Sequence, residues 1–78
     1  MTTTEKVFAE FQSLGLGDRY YIFSFLANGS EYFQIGDRQS ADRFSNDTSI
    51  VVKGYSLPVN CGMTAARILQ IISNIKRQ

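Results

Sequence analysis

The chain has 78 residues and a formal net charge of +1, from eight basic and seven acidic side chains. A chain of this length has room for one small hydrophobic core, so a single domain over residues 1–78 is predicted. The near-neutral charge disfavours a nucleic acid or an anionic lipid surface as partner, and no apolar stretch approaches the roughly 18 residues of a membrane span. The protein is therefore predicted to be soluble and cytoplasmic, with no membrane as a partner.

The first predicted element is an amphipathic helix over residues 4–14. Thr2 and Glu5 have the spacing of a capping box before it, and Gly15 is a typical stop after it. Apolar side chains recur at helical spacing at Val7, Phe8, Phe11 and Leu14. One face of this helix is expected to pack on the core.

The next two elements are predicted to form a β-hairpin. Residues 19–26 and 31–35 are rich in aromatic and β-branched side chains, and Asn28-Gly29 between them suits a type I′ turn. This turn also fixes the register of the two strands, with Ala27 opposite Ser30. The predicted cross-strand pairs are Phe25 with Tyr32, Ser24 with Phe33, Phe23 with Gln34 and Ile22 with Ile35.

The second half of the chain is predicted to supply a third strand and a second helix. Residues 37–48 are polar and are expected to form a mobile connection, and residues 50–55 form a strand that Pro58 ends. Asn60 is the expected N-cap of a helix that starts at Cys61. Its wide apolar stripe consists of Ala65, Ile68, Leu69, Ile71, Ile72 and Ile75.

This order of elements predicts a two-layer α+β fold. Sequential strands usually pair, so helix, strand, strand, strand, helix indicates a three-stranded antiparallel meander with both helices packed on one face. The third strand, with Lys53 as its only charge, is a plausible edge for the addition of a partner's strand.

Both faces of the predicted hairpin are apolar, which is unusual for an antiparallel sheet with a solvent-exposed side. One face is largely aliphatic and carries Ile22, Leu26, Phe33 and Ile35. The other is aromatic and carries Tyr21, Phe23, Phe25 and Tyr32, to which Tyr55 of the third strand is added. Two helices with one apolar stripe each are expected to cover the aliphatic face, which leaves the aromatic face as a binding patch. The alternative is that a helix or the connection 37–48 covers the aromatic face and makes it core.

Two arginines flank this aromatic face in the predicted register. Arg19 lies opposite Arg38 at the open end of the hairpin, where an arginine pair beside aromatic rings suits a carboxylate or a phosphate. The alternative is that the adjacent Asp18 and Asp37 neutralise both arginines in an exposed charge cluster.

The sequence contains no recognisable set of catalytic, cofactor-binding or metal-binding residues. The chain has no His, and its lone Cys61 excludes the common zinc ligand sets and an internal disulfide. Gly15-Leu16-Gly17 lacks the third glycine of a dinucleotide fingerprint, and it follows a helix instead of a strand. Cys61, at the predicted helix start, is the only residue with latent reactivity, and a buried, inert side chain is the simpler interpretation. The chain is therefore predicted not to be an enzyme and to need no cofactor or metal.

The favoured function is a non-catalytic protein-binding module that acts as an adaptor, inhibitor or regulator of a larger protein, alone or as a homodimer. Small proteins encoded by viruses or mobile elements often have this role. The predicted contact residues are Tyr21, Phe23, Phe25, Tyr32, Tyr55, Arg19 and Arg38. The alternative is a single-stranded nucleic-acid-binding protein whose rings stack on bases while Arg19, Arg38 and Lys53 meet phosphates. Acidic residues beside the arginines count against this alternative.

Overall fold

The computed structural model describes residues 2–38 and 49–77, and residues 39–48, which are all but the first two residues of the predicted connection, lie outside this description. The helices are α1 (Thr3–Gln12) and α2 (Ala65–Lys76). The strands are β1 (Tyr20–Ala27), β2 (Ser30–Asp37), β3 (Ser49–Val52) and β4 (Tyr55–Pro58). The α+β class is confirmed, but the three-stranded meander is wrong. The described strands form two antiparallel two-stranded sheets, β1–β2 and β3–β4.

Helix α1 begins at the predicted capping residues. The Thr2 hydroxyl accepts a hydrogen bond from the backbone N–H of Glu5 at 3.1 Å, which satisfies one of the unpaired donors of the first turn. Val7 and Phe11 are fully buried on the inner face. The chain leaves the helix through Gly15, whose positive φ of 74° explains the glycine at this position.

The β1–β2 hairpin has the predicted register over its whole length. Phe25 lies opposite Tyr32 and Ile22 opposite Ile35, and Ala27 and Ser30 close the turn. Asn28 and Gly29 have φ values of 53° and 79°, as a type I′ turn requires. Both strands extend beyond the predicted limits, to Ala27 and to Asp37.

The segment predicted as one strand over residues 50–55 is instead the start of a second hairpin. The chain reverses at Lys53-Gly54, where φ is 51° and 86°, and Val52 pairs with Tyr55. Pro58 ends β4 opposite Ser49, a strand-end position where the missing N–H is tolerated. Because the turn uses residues in the middle of the predicted strand, the third strand of the meander does not form.

The segment before α2 pairs with β2 and does not belong to the helix. Phe33 and Met63 exchange backbone hydrogen bonds at 2.7 Å, and the Asn60 N–H donates to the Ile35 carbonyl at 2.8 Å. The predicted helix start at Cys61 with Asn60 as N-cap is therefore wrong. The N-cap is Thr64, whose hydroxyl accepts from the Arg67 N–H at 3.2 Å. Asn60 has a φ of 57°, a left-handed conformation that Asn tolerates and that turns the chain toward β2.

The core lies between the helices and one face of the β1–β2 hairpin. Phe33 and Ile35 are fully buried beside residues of both helices, and Phe8 meets Phe33 edge to face with ring centroids 6.0 Å apart. The other fully or nearly buried apolar side chains are Val7, Phe11, Leu57, Val59, Met63, Ile68, Ile72 and Ile75. The helices thus cover the aliphatic face, as predicted, although Leu26 near the hairpin tip remains 77% exposed. Neither described helix is long and apolar enough to cross a membrane.

Candidate functional site

Four aromatic rings form a continuous row on the face of the β1–β2 hairpin that points away from the helices. Tyr21 and Phe23 have ring centroids 5.9 Å apart, Phe23 and Phe25 6.1 Å, and Phe25 and Tyr32 6.0 Å. Period-two alternation places the first three rings on one side of β1, and the hairpin register adds Tyr32 from β2. We call these four residues the aromatic row.

Two glycines make room for the rings of the aromatic row. A Cβ atom at Gly36, the cross-strand partner of Tyr21, would lie 2.5 Å from Tyr21 Cζ and 2.6 Å from its hydroxyl oxygen. A Cβ atom at Gly62 would lie 3.0 Å from Phe25 Cζ. Both rings therefore lean across neighbouring backbone where only glycine leaves space. These contacts hold the rings in place, and the sequence signal for the first was Gly36 opposite an aromatic residue in the predicted register.

Arg38 closes one end of the aromatic row. Its guanidinium carbon lies 5.5 Å from the centre of the Tyr21 ring, within the range of a cation–π contact. Its Nε donates a hydrogen bond to the Gly17 carbonyl at 2.9 Å. Arg38 is exposed, and its two terminal nitrogens bond to no other residue that the structure describes.

Arg19 turns away from the aromatic row. The predicted register is confirmed at this point, because the Arg38 N–H donates to the Arg19 carbonyl at 2.7 Å. The Arg19 guanidinium, however, lies 5.5 Å from the Tyr20 ring centre and 3.5 Å from the buried Asp37 carboxylate. Tyr20 and Asp37 belong to the helix-covered face, so the two guanidinium groups have different partners and do not form a clamp. The alternative prediction, in which Asp18 and Asp37 neutralise both arginines, fits Arg19, which pairs with Asp37. Among the described residues, Arg38 forms no ion pair with an aspartate.

Tyr55 does not extend the β1–β2 sheet. It lies at the start of β4, in the other two-stranded sheet, and is half-buried. Lys53, offered in the nucleic-acid interpretation as a phosphate contact, occupies the turn of the second hairpin. Sheet pairing thus brings together four of the predicted contact residues, with Arg38 beside them.

Strand β1 carries two of the three large hydrophobic side chains that are exposed to solvent among the described residues. Among the described residues, the large hydrophobic side chains that are clearly exposed are Phe23 at 37%, Leu26 at 77% and Val51 at 76%. Phe23 belongs to the aromatic row, and Leu26 lies on the same strand. Sequence reasoning assigned Leu26 to the covered face because it treated the hairpin as uniformly covered, whereas the helices leave its tip bare.

A groove between the two helices is a further surface feature that the sequence did not predict. A groove of about 380 Å³ is lined by Lys6, Glu10, Leu69, Ser73, Lys76 and Arg77. Its walls come from opposite ends of the chain, and Lys76 Nζ joins them through an ion pair with Glu10 Oε2 at 2.9 Å. No single stretch of sequence carries a signal for this groove.

The described residues contain no group of three or more His, Cys, Asp or Glu side chains that could hold a metal ion. Cys61 is exposed and precedes α2, so the prediction of a buried thiol in the first helical turn is wrong. The Cys61 thiol lies 3.8 Å from the Gly62 carbonyl oxygen, a weak contact that does not activate a nucleophile.

The chain was compared with models of protein families, with curated proteins and with solved structures. None of the three comparisons gives a match.

Proposed function

We propose that this protein is a non-catalytic protein-binding module, an adaptor, inhibitor or regulator, that contacts its partner through the aromatic row. The single observation that carries this proposal is the continuous contact of four rings on the sheet face opposite the helices, with Phe23 exposed at its middle. Soluble monomers rarely display contiguous apolar patches of this kind, and aromatic residues are enriched in the cores of protein interfaces.

The aromatic row is preorganised for binding. Each ring contacts its neighbour, and Tyr21 and Phe25 also lean on Gly36 and Gly62. A partner that docks on rings already held in place loses little side-chain entropy, which is one of the main costs of association. The row therefore suits the role of a binding hot spot.

The polarity of the surface indicates the kind of partner that it fits. Along the two strands the aromatic row is accompanied by the neutral side chains of Ser30 and Gln34, and Arg38 supplies the positive charge at its end. An apolar protein surface with a carboxylate or backbone carbonyl at its rim is complementary to this arrangement.

Two observations favour a protein over a single-stranded nucleic acid as the partner. Grooves that bind single strands combine rings with a track of positive charge along the backbone path. Here Arg19 is paired with Asp37, and Lys53 lies in the turn of the other hairpin. Of the three predicted phosphate contacts, Arg38 is the one that lies beside the aromatic row, and a single arginine is a weak phosphate track.

The proposal is tested by affinity capture from a lysate of the source organism, with and without nuclease, using the wild type, Phe23→Ser and Val51→Ser. The wild type and the control Val51→Ser are expected to retain the same stoichiometric, nuclease-resistant protein, and Phe23→Ser is expected to lose at least about 90% of it, since hot-spot truncations cost 2 kcal/mol or more. Circular dichroism verifies that both variants are folded.

Two outcomes would contradict the proposal. Equal capture by all three proteins would mean that the aromatic row is not the contact surface. Recovery of material that disappears on nuclease treatment would identify the row as a base-stacking surface instead.

A further inference from the structure

The edge of β1 that faces away from β2 carries backbone groups that have no partner in the part of the chain that the structure describes. Phe33 of β2 exchanges hydrogen bonds with Met63 on the side away from β1, so its partner Ser24 directs its own N–H and C=O groups away from β2. The Ile35 carbonyl accepts from Asn60 on that same far side, which gives its partner Ile22 the same outward orientation. The alternation of the antiparallel ladder extends this to Leu26.

These outward groups have no backbone partner among residues 2–38 and 49–77, where β1 pairs with β2 alone. Edge strands of soluble proteins are normally blunted by charged side chains, proline, bulges or short length. Strand β1 has eight residues and contains neither a charged residue nor a proline. It also carries the exposed side chains of Phe23 and Leu26. An edge with these properties is expected to pair with a strand of another chain.

We propose that β1 pairs antiparallel with β1 of a second copy of the chain, about a two-fold axis at Ser24. The outward groups of Ile22, Ser24 and Leu26 are placed symmetrically about this residue. Pairing Ser24 with Ser24 of the partner subunit places Ile22 opposite Leu26 of the partner subunit, and the reverse. Every outward N–H and C=O of the three residues then has a partner, which is the self-complementarity that a two-fold interface requires.

The same register is favourable for the side chains. On the aromatic face, Phe23 lies beside Phe25 of the partner subunit, so the two aromatic rows merge into one surface across the new sheet. On the other face, the exposed Leu26 gains Ile22 of the partner subunit as a neighbour. No like charges meet along the paired strands, because β1 has none. This pairing deepens the proposed function, on which it rests in part, because it joins two aromatic rows into one larger contact surface.

The test is sedimentation equilibrium of the wild type, Leu26→Lys and Val51→Lys from micromolar to millimolar concentration. Leu26 and Val51 are equally exposed in the isolated chain, so lysine is tolerated at both positions. The wild type and Val51→Lys are expected to form dimers with similar dissociation constants. Leu26→Lys is expected to raise the dissociation constant by about 100-fold, because it places an unpaired charge beside an apolar side chain in the interface.

A second variant and a second measurement check the backbone pairing itself. Ser24→Pro removes an outward N–H, which an edge strand tolerates, and is expected to abolish dimerisation while the monomer stays folded. Amide hydrogen exchange at Ile22, Ser24 and Leu26 is expected to slow as the concentration of the wild type rises.

The outcomes separate this inference from the proposed function. A wild type that stays monomeric at millimolar concentration overturns the edge pairing, as does equal dissociation of the Leu26 and Val51 variants. A dimer that Phe23→Ser disrupts and Leu26→Lys does not also overturns the edge pairing, but leaves the aromatic row as a contact surface. A dimer that only the edge variants disrupt supports the pairing and removes the aromatic row from it.

Discussion

At the residue scale, the relation between Tyr21 and Gly36 shows how a strand glycine shapes a surface. Glycine weakens a strand because it loses more backbone entropy than other residues and offers no side chain to pack. Here the ring of the cross-strand tyrosine occupies the space above Gly36, and Arg38 then packs on the same ring. The position of one glycine thus supports the end of the aromatic row.

Replacement of Gly36 with alanine tests this support. The new Cβ would lie 2.5 Å from Tyr21 Cζ, so the ring must move, and overpacking of this kind costs about 1–3 kcal/mol of unfolding free energy. Urea unfolding measures the loss, and NMR shifts of the Tyr21 ring protons report its displacement. Gly17→Ala is the control, because its Cβ would lie 3.3 Å from the end of the flexible Gln12 side chain and should change stability by less than about 0.5 kcal/mol. Unchanged Tyr21 ring shifts in Gly36→Ala would contradict the packing described.

The sequence predicts which residues share a sheet face, but it does not predict which partners their long side chains contact. The aromatic row was predictable because strand alternation and the Asn28-Gly29 turn together determine which side chains share a face. The separation of the Arg19 and Arg38 guanidinium groups was not predictable, because strand register does not determine which neighbour a long side chain contacts. Arg19 turns to Asp37 on the opposite face.

At the element scale, the two hairpin turns explain why one sheet was predicted and the other was missed. Asn28 and Gly29 both favour positive φ, so the first turn has a clear sequence signal. In the second turn Lys53 adopts a φ of 51°, although lysine has no preference for that conformation. Only Gly54 marked the position, and the apolar residues around it were equally compatible with one continuous strand.

The strain at Lys53 gives a stability prediction. Lys53→Asn places a residue that tolerates the left-handed conformation at a φ of 51°, and should raise the unfolding free energy by about 0.5–1 kcal/mol. Urea unfolding of the wild type and the variant provides the measurement. The opposite change, Gly54→Ala at a φ of 86°, should lower stability by about 1–2 kcal/mol. If Lys53→Asn is neutral or destabilising, the turn does not have the assigned conformation in solution.

The start of α2 shows a different limit of sequence reasoning. The N-cap preference of Asn led to the choice of Asn60, but Thr is favoured at N-caps as well and Thr64 is the N-cap in the structure. The choice is made by tertiary pairing, because residues 60 and 63 are hydrogen-bonded to β2 and so cannot enter the helix. This pairing also explains why Cys61 is exposed beside the sheet and not packed in a helical turn.

At the scale of the whole molecule, the α+β class was predictable, and the number and pairing of the strands were not. Each helix has a single apolar stripe, and the face of the β1–β2 hairpin that carries Phe33 and Ile35 is also apolar. Burial of these apolar surfaces requires the helices to pack on that face. The meander failed because the third strand folds back on itself at Lys53-Gly54.

The small core also links stability to association. A 78-residue domain has a limited core, and binding of a second copy to the folded state alone stabilises that state by mass action. The thermal midpoint of the wild type is therefore expected to rise by several degrees between about 10 μM and 1 mM. Calorimetry at the two concentrations measures the shift. Val51→Lys should retain it and Leu26→Lys should lose it, and a wild-type midpoint that does not depend on concentration would contradict the linkage.

The pairing of residues 60–63 with β2 has a consequence for how far such an assembly can grow. Because Met63 occupies the backbone groups of Phe33, the described part of the β1–β2 sheet has β1 as its open side and the short segment at residues 60–63 on the other. Two copies joined through β1 would use the open side of both β1–β2 sheets, and the described residues on the far side of each sheet form a short segment that is a poor template for further strands. The pairing of Met63 with Phe33, which delays the start of α2, thus also blocks the addition of further strands on that side. It favours a closed dimer over a fibre.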